Sequence, residues 1–151
     1  PGRDLSVDPG MTYGDLRRYS DTLDVTVCSG PLPKGINGVY DESTGTIVID
    51  RTLRYTQKRC TLVHELIHWS YHDLSCRPAM SSKAECRTRR LTAQTLVTGK
   101  YLDMLGDEYE GQPALIANDL NVTVSVLEDY WKLIYPRHEY QNCLRPILPA
   151  L

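Results

Sequence analysis

Residues 63–69 read VHELIHW, with two histidines four positions apart and a glutamate directly after the first. On an α-helix, residues four apart lie about 40° apart around the axis and one turn along it. His64 and His68 therefore project from one face, where their imidazoles can meet on one ion. Glu65 stands about 100° round from His64. It is poorly placed to join the same coordination sphere and well placed to reach a water held by the ion. Two ligands and a general base from a single turn are the physical content of HExxH, the pattern of zinc peptidases. The setting strengthens the reading. LVHELIHW is apolar nearly all round, so its helix should be buried. An uncompensated histidine or glutamate would be costly there, and a metal supplies the compensation.

A catalytic zinc needs a third protein ligand and one open position. Spacing sorts the candidates. His72 falls about 12 Å beyond His64 along the same helix, too far to share an ion with it comfortably. A third histidine in the HExxHxxGxxH pattern would fall at Leu74, which excludes that class. Asp73, just past the helix end, is a poorer option. Glu85 is better, 17 residues after His68 and on the next predicted helix. A turn through Cys76-Arg77-Pro78 and an antiparallel return would bring it beside the two histidines. Against this, a first-turn glutamate is favoured by the helix dipole whatever its role. Cys76 and Cys86 offer a different arrangement, a structural zinc closed by thiolates, although Cys86 reads more simply as a small buried residue. His72, Tyr71, Tyr40 and Tyr101 are further candidates for contacts to a substrate or an oxyanion. Packing is the better account of each of them.

The elements that must position these residues are legible in outline. Thr12 can cap a short helix through Tyr19. Leu23–Cys28 alternates and is rich in valine, so it reads as a strand. SGPLPKGING, residues 29–38, reads as a loop. A hairpin follows, with arms 38–41 and 46–50 and a turn at Ser43-Thr44-Gly45; Ile47 and Ile49 share one face. Helices are expected over about 55–71 and about 81–98. The second would be capped by Ser81 or Ser82, interrupted by Gly99, and striped by Ala84, Thr88, Leu91 and Thr95. KYLDMLGDEY, PALIANDL and VSVLEDYWKLIY read as short helices, the last two separated by Asn121-Val122-Thr123. Pro136, Pro146 and Pro149 mark an irregular tail. Strands first and helices after argue for an α+β fold: a small, mostly antiparallel three-stranded sheet packed on a helical body that carries HExxH, with C-terminal helices of helix-turn-helix-like cadence. The expected organisation is a single domain over 1–151, with a core at about 11–100 and a C-terminal helical part and tail at about 101–151.

Composition bounds the rest. At 151 residues, 41% hydrophobic and 24% charged, the chain can bury a sizeable core. A formal net charge of −2 announces neither nucleic acid nor an anionic membrane. The cysteines are odd in number and irregularly spaced, with no CxxC. No apolar run approaches the roughly 18 residues needed to span a membrane, and none reads as a signal peptide. The expectation is a cytoplasmic protein with free thiols and no membrane association.

GVYDESTGTIVID, TLVHELIHW and KAECRTRRLTAQTLV together resemble the ImmA/IrrE family of metallopeptidases, most clearly over residues 36–100. The likeness extends more weakly into ANDLNVTVSVLEDYWKLI. It implies one catalytic zinc held by His64, His68 and Glu85, with Glu65 as base, in a gluzincin-like layout. It also implies a protein partner, an XRE-type helix-turn-helix repressor. Family members cleave or otherwise inactivate such repressors and so derepress phage, mobile-element or stress genes. Two departures stand out. Ile67 replaces a frequent glycine before the second histidine, and Cys86-Arg87 replaces a frequent alanine after the ligand glutamate. Neither removes a ligand.

Two rival functions follow from the same residues. A non-catalytic module could hold zinc and sequester a repressor or another partner; the intact His64-Glu65-His68 set argues against it. The C-terminal helix pair could bind DNA. Its charges argue otherwise: over residues 111–151, Lys132, Arg137 and Arg145 face Asp119, Glu128, Asp129 and Glu139. Phosphate contacts need a basic face.

Overall fold

In the computed structural model, which describes residues 2–74 and 82–134, the first helix begins at its capping signal. Helix α1 spans Tyr13–Ser20. The Asp15 N–H donates to Thr12 Oγ1 (3.1 Å), and the Thr12 N–H donates to Asp15 Oδ2 (2.9 Å). This reciprocal pair satisfies two donors that the first turn would otherwise leave unpaired. The helix unwinds through turns at Thr22 and Leu23, whose N–H groups donate to Tyr19 and Ser20. Those turns consume the start of the expected strand, so β1 runs over Thr26–Gly30 rather than from Leu23.

Strands β2 (Gly38–Asp41) and β3 (Thr46–Asp50) form the expected hairpin. Its turn is held by the Asp41 carboxylate, which accepts from the Ser43 N–H at 3.0 Å and the Ser43 hydroxyl at 2.6 Å. Gly45 takes the left-handed conformation the turn needs, with φ of 61°. Ile47 and Ile49 are fully buried on one face, as their alternation requires.

The sheet is mixed, not mostly antiparallel. Its order is β1-β3-β2, and β1 lies parallel to β3, from Thr26↔Thr46 to Gly30↔Asp50. The physical reason is that β3 carries the buried isoleucines and takes the centre. The hairpin turn commits β2 to one edge of β3, which leaves the other edge for β1. Residues 31–37 carry the chain across the end of the sheet, so β1 and β3 run the same way.

Four further helices follow α2 (Tyr55–Ser70): α3 (Ser82–Leu96), α4 (Gly99–Glu108), α5 (Pro113–Asp119) and α6 (Val124–Leu133). Helix α2 is the central element. It packs against α1, α3, β2 and β3, and its residues 65–70 are all buried. Helix α3 lies between α2 and α6. With neighbours on two sides its buried stripe is rotated from the expected one: Thr88, Thr92, Ala93 and Leu96 are buried, while Ala84, Leu91 and Thr95 are half-buried. The α5–α6 turn is a packing feature. Val122, Val126, Leu127 and Trp131 are buried, and the Thr123 side chain accepts from the Val126 N–H. On α6 the acidic Asp129 is paired with Arg89, and Lys132 with Glu128, so no basic face emerges there. Ser81, Cys76-Arg77-Pro78, Cys143 and the proline-marked tail lie outside the described residues. No described helix is long and apolar enough to cross a membrane.

One buried cation ties these parts together. Arg59 on α2 is 1% exposed. Its guanidinium donates to the carbonyls of Met11 (2.7 Å), Asn121 (2.7 Å) and Pro9. It thus joins the lead-in to α1 and the α5–α6 turn to the central helix. Removing it leaves a cavity in the core and takes the shared donor from three part-buried carbonyls. Arg59→Ala is expected to lower stability by about 3 kcal/mol or more, read by chemical denaturation.

Candidate metal centre

The buried helix α2 holds His64 and His68 one turn apart, and their Nε2 atoms face each other at 3.1 Å. Helix α3 returns past them and brings in Glu85. Its Oε1 lies 3.4 Å from His64 Nε2 and its Oε2 3.4 Å from His68 Nε2. The donor atoms of the three residues all fall within 4.8 Å of one another, the single such group among the described residues. A tetrahedral ion with bonds of about 2.0–2.1 Å needs its donors roughly 3.3 Å apart. The spacings suit that requirement, and two imidazoles with one carboxylate are the donor set of a catalytic rather than a closed structural site.

Electrostatics agree with the geometry. Hydrogen bonds from His64, then from His68, hold the Glu85 carboxyl well below the usual carboxylate range. For His68, burial is the largest influence and disfavours the charged ring. The bonds to Glu85 and Asp73 outweigh it, and the net shift is upward. The side chain of His68 is fully buried, whereas those of His64 and Glu85 are 22% and 45% exposed. The centre therefore opens on the His64–Glu85 side.

Asp73 is not a fourth donor beside the three. Its Oδ2 accepts from His68 Nδ1 at 2.7 Å, on the far side of the ring from the metal-facing nitrogen. Arg87 Nη2 donates to the same oxygen at 2.5 Å, and Thr88 Oγ1 lies 3.3 Å from His68 Nδ1. A carboxylate behind a ligand histidine fixes its tautomer and ring angle. Sequence reasoning weighed Asp73 only as a ligand. Its signal is its place one turn past the second histidine, where α2 ends.

Glu65 is 3% exposed, and its charge is felt at His68. Its side chain lies against Gly38, the first residue of β2. That strand is one of the two edge strands of the sheet among the described residues. The Asp50 N–H donates to Asn37 O at 2.8 Å, so residues 37, 39 and 41 carry the inward phase of the ladder. The backbone groups of Gly38 and Tyr40 then point to the outer edge.

The remaining candidates lie elsewhere. Tyr40 and His72 join a second cluster centred on Glu42. The Tyr40 hydroxyl donates to the Glu42 carboxylate, and His72 Nδ1 lies 2.9 Å from it. Arg3 completes the cluster, 3.6 Å from Glu42 and donating to Tyr40. Burial, then the Glu42 carboxylate, pushes the Tyr40 phenol up to about 12. Tyr71 is capped by the Arg87 guanidinium, 4.0 Å from its ring centre. Tyr101 is exposed on α4, and no described contact joins it to His64, His68 or Glu85. Cys86 is exposed rather than buried, because it faces out from α3 beside Lys83, Arg87 and Arg90. Its thiolate alternative also required Cys76, outside the described residues.

The family model for the IrrE N-terminal-like domain, of the M78 peptidases, matches residues 20–128. The chain belongs to this family. No curated protein matches it. The M78 match takes in the whole sheet, α2 and α3, and so every residue of the centre. Membership carries a metallopeptidase role, in keeping with a His-His-Glu set that can hold a metal ion.

Asp73→Asn keeps the shape of the side chain and removes its charge. Losing such a partner typically weakens metal binding 10- to 100-fold. Competition against a chromophoric chelator is expected to show that loss for a divalent ion, with the fold intact by circular dichroism.

Proposed function

We propose that this chain is a zinc-dependent endopeptidase that inactivates an XRE-type helix-turn-helix repressor, acting in the cytoplasm as an anti-repressor of phage, mobile-element or stress genes. The observation that carries the catalytic part is the convergence of His64, His68 and Glu85 beside a buried Glu65 and an outer strand. The likeness to ImmA/IrrE peptidases supports the choice of a repressor as substrate.

The roles follow from position. His64, His68 and Glu85 would hold the ion. A bound zinc supplies Lewis acidity, bringing the pKa of a water toward about 7 and polarising a carbonyl. Glu65 takes the proton of the attacking water on its carboxylate and returns it to the leaving amine. Its burial keeps that carboxylate out of bulk solvent, where its basicity would be spent on water. Asp73 and Arg87 hold the His68 ring. The outer edge of β2 offers the N–H and C=O groups of Gly38 and Tyr40 to an extended peptide, an added strand laid alongside Glu65.

Metal content by mass spectrometry is expected to give about one zinc per chain, sharply reduced in Glu85→Ala. Glu65→Gln is expected to keep the zinc and to lose cleavage by about 10²–10⁴-fold, the usual contribution of a general base. Cleavage is read by intact-mass analysis after incubation with XRE-type repressors. Zinc-free wild type after reconstitution, or a Glu65→Gln variant that cuts at the wild-type rate, would sink the peptidase reading. A repressor bound but never cut would favour sequestration instead.

A further inference from the structure

We propose that Gly38 is a positioning residue for Glu65: the side chain it lacks leaves the space in which the base holds its carboxylate. The inference rests on the peptidase reading above. Gly38 is buried, opens β2 and pairs with Ile49. Its backbone is ordinary strand, so left-handed freedom is not what calls for glycine. Space is. A Cβ at this position would sit 2.5 Å from Thr61 Cγ2, 3.0 Å from Glu65 Cγ and 3.1 Å from Glu65 Oε1. All three atoms belong to one face of α2, a single turn apart.

The two neighbours differ in how they can yield. Thr61 is half-buried, and threonine in a helix divides between two rotamers, so its methyl can turn away. Glu65 is enclosed by the core. It can make room only by sliding its carboxylate away from the strand. The three nearest atoms a Cβ would meet thus belong to Thr61 and Glu65, and not to His64, His68 or Glu85. A methyl group at residue 38 therefore presses first on Thr61 and on the base. A misplacement of about 1 Å in a reacting group can cost on the order of 100-fold, so a smaller slide should still be visible.

Two small probes separate the base from the ligands without any protein substrate. Acetohydroxamic acid hands its acidic proton to a carboxylate beside the metal as it binds as the hydroxamate, and azide has no proton to give. Both can be titrated into the full chain loaded with Co(II), whose visible spectrum reports binding. Glu65→Gln sets the scale, with weaker acetohydroxamate binding and no weaker azide binding. Gly38→Ala is expected to repeat that pattern, with acetohydroxamate weakened about 10-fold and cobalt stoichiometry unchanged. Gly38→Ala/Thr61→Ser removes the worst clash and should recover thermal stability but not acetohydroxamate affinity. It also carries the comparison if the single variant does not fold. Wild-type affinity for acetohydroxamate in Gly38→Ala would overturn the proposal. Recovery of that affinity in the double variant, equal weakening of both probes, or failure of both variants to fold would each do the same and leave Gly38 a packing residue only. In all those cases the peptidase reading stands. Wild type that takes up no cobalt, or Glu65→Gln with unaltered acetohydroxamate binding, would remove the peptidase reading and this inference with it.

Discussion

The structure depends on one turn of helix that is both buried and ionisable. His68 is fully buried and Glu65 nearly so, among Leu66, Ile67 and Trp69. Polar groups in such surroundings cost several kcal/mol unless they find partners. The fold supplies those partners from two directions. Helix α3 returns along α2 to place Glu85 and Thr88 against the histidines, and the end of α2 bends to place Asp73 behind His68. Arg87 then balances Asp73. The packing of α3 on α2 answers an electrostatic requirement as well as an apolar one.

The sheet does the complementary task. Its buried face, carried by Ile47 and Ile49, seats α2, and its edge strand β2 runs beside Glu65. A second polar cluster braces that arrangement from the other side. Glu42 gathers Tyr40, His72 and Arg3, and Arg3 also donates to the Trp69 carbonyl (3.0 Å). The hairpin, the end of α2 and the N-terminal segment thus meet at one carboxylate. Tyr40, first for burial and then for this bond, is held protonated far above neutral pH. The first cluster sits on α2 and the second borders its end, and they serve different ends: one faces the open side of the centre, the other ties the hairpin to the chain beyond α2.

Much of this was legible because it is local. The cap at Thr12, the hairpin from Gly38 to Asp50 and the buried character of LVHELIHW follow from spacings of a few residues. So does the shared face of His64 and His68, since helical geometry leaves them no alternative. Glu85 was reachable by one further step, because a second helix so soon after the first in sequence can pack back against it. What failed was non-local. The parallel partnership of β1 with β3 depends on which edge the hairpin left free. The outward turn of Cys86 and the rotated stripe of α3 depend on α6, a distant element whose place no periodicity encodes.

By itself, then, the sequence pointed to a candidate donor set, a candidate base and the helix that presents them, because residue types and a period of 3.6 suffice for that. Only the tertiary structure decided the roles of the groups around them. Asp73 became the brace of His68, Tyr40 and His72 were drawn to Glu42, and Gly38 became the floor beneath Glu65. Those outcomes turn on distances of a few ångströms between segments far apart in the chain, and such distances are set by packing.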